Sequence, residues 1–206
     1  MAIFSFYGNK PFTSGEGGAL TTNSHELEEK ARLLRGQGMD PKRRYYFPIT
    51  GYNYRLTNVA CALLCAQLER SEGLIDRRRE IFALYRECLA DVPGIEFQPT
   101  AEWAQPTPWL FSILVDENRY GMNRDNLADT LARDGIETRP LFIPLHTLPP
   151  FHDASAGRGE SLPVTDDLAM RGLNLPTHTQ LERDDVLAVA EAVRRRVRSS
   201  RESPGR

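Results

Sequence analysis

The stretch Ile3-Phe4-Ser5-Phe6-Tyr7-Gly8-Asn9-Lys10, followed by Gly15-Glu16-Gly17-Gly18, constrains this chain more than any other. An apolar run reads as a short strand and leads into a loop that presents one lysine. A glycine-dense turn follows, and a second apolar run, Ala19-Leu20-Thr21-Thr22, leads away. Glycines let backbone approach a ligand closely, and a strand on one side fixes where the amine points. A lysine partly withdrawn from water has a lowered pKa, so its amine can attack carbonyls and form a Schiff base. Spacing alone leaves the plainer reading standing: most lysines after a strand lie on the surface, and most glycine clusters are turns.

Bulk properties narrow the class. The 206 residues carry a formal net charge of -2, with 40% hydrophobic and 26% charged residues, the balance of a soluble globular chain of one domain or two small ones. So small a charge gives no general reason to expect nucleic acid. No apolar run approaches the roughly 20 residues of a membrane span, and no basic-then-apolar leader opens the chain. Cys61, Cys65 and Cys88 are odd in number and sit in helix-like patterns. Cys61 and Cys65 lie four apart with no neighbouring His or Cys, so they read as buried small side chains rather than metal ligands. Reduced thiols fit the cytoplasm.

Along the chain, Ser24 predicts an N-cap for a helix over residues 25–35, with Leu27, Ala31 and Leu34 at helical spacing. The loop over residues 40–48 is dense in basic and aromatic side chains, among them Arg43 and Arg44, and reads either as a phosphate or nucleic-acid contact or as a loop covered by a partner. A helix follows with Thr57 or Asn58 as cap and Ala60, Leu63, Leu64, Gln67 and Leu68 on one face. A second helix is expected over residues 75–90, with the stripe Ile81, Leu84, Tyr85, Cys88 and Leu89. Residues 96–108 read as extended, 109–115 as the clearest strand, 123–132 as a helix capped by Asn123, and 136–141 as another strand. Residues 153–163 read as a flexible excursion. A short helix near 166–171 and a last helix over residues 182–198 complete the pattern, the latter burying Val186, Val189, Ala190, Val193 and Val197. Its Arg194-Arg195-Arg196 cluster suits a helix C-terminus. Alternating strands and helices after Trp109 argue for a small α+β module.

The opening stretch resembles the DegT/DnrJ/EryC1/StrS sugar aminotransferases, pyridoxal-phosphate (PLP) enzymes of fold type I. Their hallmark is a serine five residues before the Schiff-base lysine and then a Gly-Glu-Gly-Gly turn, here Ser5, Lys10 and Gly15-Glu16-Gly17-Gly18. Arg35-Gly36-Gln37-Gly38-Met39-Asp40-Pro41, Tyr45-Tyr46-Phe47-Pro48 and Gly51-Tyr52-Asn53-Tyr54-Arg55 are similar to the GDP-perosamine synthase branch. Thr138-Arg139-Pro140, Pro144-Leu145-His146 and Gly172-Leu173-Asn174-Leu175-Pro176 continue the likeness.

The resemblance implies an α/β chain, the C-terminal part of an aspartate-aminotransferase-like PLP transferase. Residues 1–74 would be the remainder of the large cofactor-binding domain, 75–94 a bridging helix, 95–198 a small α+β domain and 199–206 a disordered tail. It implies that Lys10 holds the cofactor and moves the proton, that Ser5 binds the cofactor phosphate, and that Asn53 reaches that phosphate from the other subunit of a homodimer. Arg139 and His146 would line the substrate, with an interface ion pair for Arg139 and a hydrogen-bonded core place for His146 as the alternatives. Arg44, with Arg43, would meet a nucleotide diphosphate. The implied reaction moves an amine from glutamate to a nucleotide-linked 4-keto-6-deoxy sugar in the cytoplasm, without metal, membrane or nucleic acid.

Two departures stand out. Pro11 follows Lys10 where the family commonly has Thr, and Leu64 replaces a small residue in a closely packed helix. Family members are roughly twice as long. The half without a counterpart here carries the phosphate loop, the Asp that pairs with the pyridine nitrogen and the stacked aromatic ring. A truncated, non-catalytic fragment and an interaction module that pairs with a separate N-terminal half are therefore the competing readings. Related dehydratases carry histidine in place of the lysine, so Lys10 favours amino transfer.

Overall fold

A computed structural model describes residues 1–197. The fold is mixed α/β with two small sheets, and the chain divides into two compact units, Met1–Ile75 and a second that begins at Asp76. Arg198 and the tail over residues 199–206, expected to be disordered, lie outside the described residues.

In the first unit, strands β1 (Ala2–Ser5) and β2 (Gly18–Thr21) form an antiparallel pair with Ser5 opposite Gly18. Both strands are exposed along their length, Ile3 to 77%. Helix α1 (His25–Arg35) starts where Ser24 predicts, the Ser24 hydroxyl accepting from the Leu27 N–H at 3.3 Å. None of its residues is buried, although Leu27, Ala31 and Leu34 keep helical spacing. Helix α2 (Asn58–Leu68) is capped by Thr57, whose hydroxyl accepts from the Ala60 N–H at 3.2 Å. Leu64, 8% exposed, is its one buried residue. Cys61 and Cys65, expected to be buried, are exposed. The reason is that α2 is apolar around its circumference while only the Leu64 side is buried.

The second unit holds the hydrophobic core. Its antiparallel sheet has the order β3 (Ile95–Phe97), β4 (Phe111–Val115), β6 (Gly172–Leu175), β5 (Arg139–Pro140). Phe111, Ile113 and Val115 alternate inward along β4, as a half-buried strand requires. Packed in the same core are Ile81, Tyr85 and Leu89 from α3 (Ser71–Leu89), Tyr120 from α4 (Glu117–Tyr120), and Leu127 and Leu131 from α5 (Arg124–Arg133). Val186, Val189 and Val193 from α8 (Arg183–Arg194) complete it. Tyr85 stacks on Phe111 with centroids 4.9 Å apart, and the Tyr120 hydroxyl donates to the Val193 carbonyl at 2.6 Å. Desolvation pushes both phenols well above their ordinary pKa. The buried Arg78 ties α3 to the sheet, donating to the carbonyls of Trp109 (2.7 Å) and Thr177 (3.2 Å).

Several sequence expectations are corrected. The strand expected over 136–141 shrinks to Arg139–Pro140. Ile136 instead gives its N–H to the Leu131 carbonyl behind α5, and Pro140 has no N–H for a ladder. The strand expected from Trp109 starts at Phe111, whose N–H goes to the Thr177 hydroxyl. The flexible excursion at 153–163 is helical in its first part: α6 spans Pro149–Gly157, opened by prolines whose fixed φ suits a helix start. It is fastened by Ser155, which donates to Glu160 at 2.7 Å. Helix α7 (Pro163–Arg171) begins three residues before 166, and α3 begins at Ser71 rather than 75. The last helix ends at Arg194, and Val197 is only partly buried. Its arginine cluster does more than face the helix dipole: Arg194 donates to the Cys88 carbonyl and pairs with Asp91, and Arg196 pairs with Asp134. All three cations thus pair within the unit, Arg195 with Glu191 of the same helix at 3.7 Å.

Candidate active site

Lys10 sits at the end of a tight turn. Its N–H donates to the Tyr7 carbonyl at 2.9 Å, and the residue is half-buried. The loop between β1 and β2 is cross-braced: Phe6 donates to Gly17 (2.9 Å), Ser14 to Phe6 (3.1 Å), and the Thr13 hydroxyl to Phe6 (2.9 Å) while accepting from Gly15 (2.9 Å). Residues 10–12 form a bend rather than a helix, which accommodates Pro11. The glycine turn is required sterically. Gly17 has φ +127°, and a Cβ there would lie 2.6 Å from a Leu56 methyl; one at Gly18 would lie 2.7 Å from the Phe4 carbonyl oxygen. Ser5 closes β1 with an exposed hydroxyl that accepts from the Tyr7 N–H at 3.4 Å. One hairpin therefore carries both Ser5 and Lys10.

A side chain from α2 holds this loop. Gln67 accepts from the Thr13 N–H through Oε1 at 3.0 Å and donates from Nε2 to the Thr13 carbonyl, so both backbone groups of Thr13 are engaged.

Asn53 lies in a backbone crossing. It pairs with Gly36 in an isolated antiparallel bridge. Around it Gln37 donates to Tyr52 (3.0 Å), Tyr52 to Leu34 (2.7 Å) and Tyr54 to Arg35 (3.2 Å). Cβ atoms at Gly38 and Gly51 would lie 2.1 Å from the Ile49 carbonyl oxygen and 2.1 Å from the Gly38 nitrogen. Arg44 lies on the adjoining loop, its guanidinium 4.8 Å from the Tyr45 ring centroid, and Arg43 lies 4.4 Å from that of Tyr46. The Asp40 carboxylate accepts from the N–H groups of Lys42 and Arg43 (2.8 and 3.1 Å), which shapes the turn.

Arg139 and His146 belong to the second unit. Arg139 is exposed in β5 and pairs with Glu137 at 3.3 Å. His146 is 14% exposed in the short 3-10 turn Leu145–Thr147, and its Nε2 lies 3.0 Å from Asp166 of α7. A concavity of about 380 Å³ beside them is lined by Pro140, Leu141, Pro144, Asp166 and Met170, among others. Glu160 is held down to about 2, first by the hydrogen bond from Arg158 and then by that from Ser155, with a smaller contribution from the charge of His146. Among the described residues no group of three metal-ligating side chains occurs, and no helix is long and apolar enough to cross a membrane.

The profile of the DegT/DnrJ/EryC1/StrS aminotransferase family matches residues 1–194. The chain belongs to that family. GDP-perosamine synthase of Caulobacter vibrioides is 40% identical over 193 residues, 93% of this chain and 51% of that protein. The Vibrio cholerae GDP-perosamine synthase is 35% identical, covering 94% of this chain and 52% of its own length. Among solved structures, S. venezuelae DesV superimposes with a TM-score of 0.83 at 34% identity, over 94% of this chain and 50% of that one. Helicobacter pylori PseC superimposes with a TM-score of 0.85 at 26% identity, over 95% and 52%. The chain spans about half the length of the relatives it matches. DegT/DnrJ/EryC1/StrS aminotransferases are PLP enzymes, as the motif around Lys10 implies.

Three features were not visible in the sequence. Gln67 reads as part of an apolar face, and only its polarity within Asn-Val-Ala-Cys-Ala-Leu-Leu-Cys-Ala-Gln-Leu hints otherwise. Gly36-Gln37-Gly38 and Gly51-Tyr52-Asn53 read as separate motifs but form one crossing. Asp166, the partner of His146, gave no signal beyond a helical position.

Proposed function

We propose that this chain is the lysine-bearing part of a PLP-dependent aminotransferase that converts a nucleotide-linked 4-keto-6-deoxy sugar to its 4-amino form with glutamate as donor. The observation that carries this reading is Lys10 on its cross-braced hairpin in a chain of this family. The donor set fits the cofactor: the amine of a half-buried lysine for its aldehyde and an exposed serine, Ser5, for its phosphate. When bound, the cofactor supplies an electron sink for the carbon that exchanges its amine.

The chain's own residues do the rest. Lys10 Nζ would hold the cofactor at its aldehyde carbon and, when free of it, would carry a proton between the substrate α-carbon and the cofactor. The glycine turn lets the chain pass Leu56 and the Phe4 carbonyl where a side chain would clash, which holds the hairpin that carries the lysine. Asn53, fixed by the Gly36 bridge, would reach the cofactor phosphate of a second copy in a homodimer with shared sites. Arg44, with Arg43, offers guanidinium groups to the diphosphate, and Arg139 and His146 orient the sugar. The cytoplasm, where the three free thiols persist, is the setting.

The experiment uses the full protein that carries this chain, with a GDP-linked 4-keto-6-deoxy sugar and [15N]glutamate. Mass spectrometry is expected to find 15N in the sugar product, and Lys10→Ala to abolish it. Normal turnover in Lys10→Ala overturns the lysine's role. The alternative, a non-catalytic interaction module, arises from the half-length match. It is favoured if the full protein binds no cofactor and transfers no label.

A further inference from the structure

We propose that Gln67 is a positioning residue for Lys10: its side-chain amide pairs with both backbone groups of Thr13 and so fixes the loop from which the lysine projects. The inference rests on the reading of Lys10 given above and deepens it. Gln67 and Thr13 are 54 positions apart, so this contact is a tertiary one and does not follow from local chain geometry. The pairing has the form of a ladder rung, with one amide accepting the N–H and donating to the carbonyl of a single residue. Both groups are partly buried, where an unpaired backbone donor or acceptor is costly.

From Thr13 the constraint passes to the lysine by short steps. The Thr13 hydroxyl donates to the Phe6 carbonyl and accepts from Gly15, and Ser14 donates to the same Phe6 carbonyl. Phe6 precedes Tyr7, whose carbonyl accepts the Lys10 N–H. Lys10 therefore lies in a closed loop of which both legs, residues 6–7 and 13–15, are held at Thr13. Gln67 is the side chain through which a helix grips that loop. A glutamine suits the task because it offers a donor and an acceptor on one rigid plane. Glutamate loses the donor, and leucine loses both.

The test compares Gln67→Leu and Gln67→Glu with Thr57→Ala in the full protein. Thr57→Ala removes the α2 N-cap and weakens the same helix without touching the clamp. The dissociation constant for PLP is expected to rise about tenfold or more in Gln67→Leu, where two net hydrogen bonds are lost, and by a smaller factor in Gln67→Glu, where one is lost. The pH midpoint of the bound cofactor's absorption change is expected to move in both Gln67 variants and to stay in place in Thr57→Ala. Without cofactor, acylation of the Lys10 amine should change rate, and the Phe6 and Ser14 amides should exchange faster with solvent, again only in the Gln67 variants. The proposal is overturned if Gln67→Leu matches Thr57→Ala in all of these. Should the wild-type protein bind no PLP, the reading of its function fails, while the exchange and acylation rates still decide whether Gln67 holds the loop.

Discussion

Replacing Gly51 by alanine tests whether the backbone crossing fixes Asn53. The added methyl would lie 2.1 Å from the Gly38 nitrogen and 2.4 Å from the Gln37 carbonyl carbon, both backbone atoms that no rotamer change can move aside. Relief requires the two segments to part by about 1 Å or more, since carbon atoms reach optimal separation only near 3.5–4.0 Å. That separation strains or breaks the bonds from Gln37 to Tyr52 (3.0 Å) and from Tyr52 to Leu34 (2.7 Å). At about 1 kcal/mol net for each bond, with an overpacking cost of about 1–3 kcal/mol, the local crossing should lose about 3–5 kcal/mol. Native-state hydrogen exchange reads this directly. The amides of Gln37, Tyr52 and Tyr54 should exchange at least a hundredfold faster, because about 1.4 kcal/mol corresponds to a factor of ten. The α5 amides serve as an internal control and should be unaffected. Unchanged protection at Gln37 and Tyr52 in Gly51→Ala would refute the reasoning, because the crossing would then tolerate a side chain that its geometry forbids.

Two further outcomes are expected. Gly73 lies inside α3 where a Cβ would meet open space, so Gly73→Ala should stabilise the chain by about 1 kcal/mol through helix propensity alone; a denaturation midpoint that falls would contradict this. Glu160, held at about 2 against an ordinary 4.5, contributes stability that is fully present above about pH 4.5 and is lost as pH falls through about 2. Arg158→Ala should move its carboxyl titration upward, as followed by NMR, and a midpoint left near 2 would show that the Arg158 hydrogen bond is not the main cause.

Legibility in the sequence followed the physics of each signal. The bounds of α1 could be read because Ser24 and Gly36 are local punctuation, whereas β6, four residues opened by a glycine, is too short a signal to read as a strand. The Ser5–Lys10 spacing and the glycine turn identified the family, and the hairpin they predict is present. Failures arose where a distant group overrode a local pattern. Thr177 takes the Phe111 N–H and delays β4, while the closure of α5 takes the Ile136 N–H and shortens β5. Composition misled at 153–163, where Ala, Ser and Gly suggested a loop but the preceding prolines start a helix. Cys61 and Cys65 failed for a different reason: apolar periodicity reports which residues can be buried, not which are. For His146 the sequence left a substrate role and a hydrogen-bonded place open. Its Nε2 lies 3.0 Å from an Asp166 carboxylate oxygen, which leaves both readings open.

The crossing at Gly38 and Gly51 also bears on the order in which the site assembles. Its partners are separated by 13 to 19 positions, so closing it needs only a short loop search, on the order of 10–100 ns for a chain of about ten residues. The Gln67–Thr13 clamp joins residues 54 apart and carries a larger loop-closure entropy. During synthesis the crossing can form once residue 54 is free, while the clamp must wait for α2. Asn53 can therefore reach its final geometry before Lys10 does, and the lysine loop is locked in last.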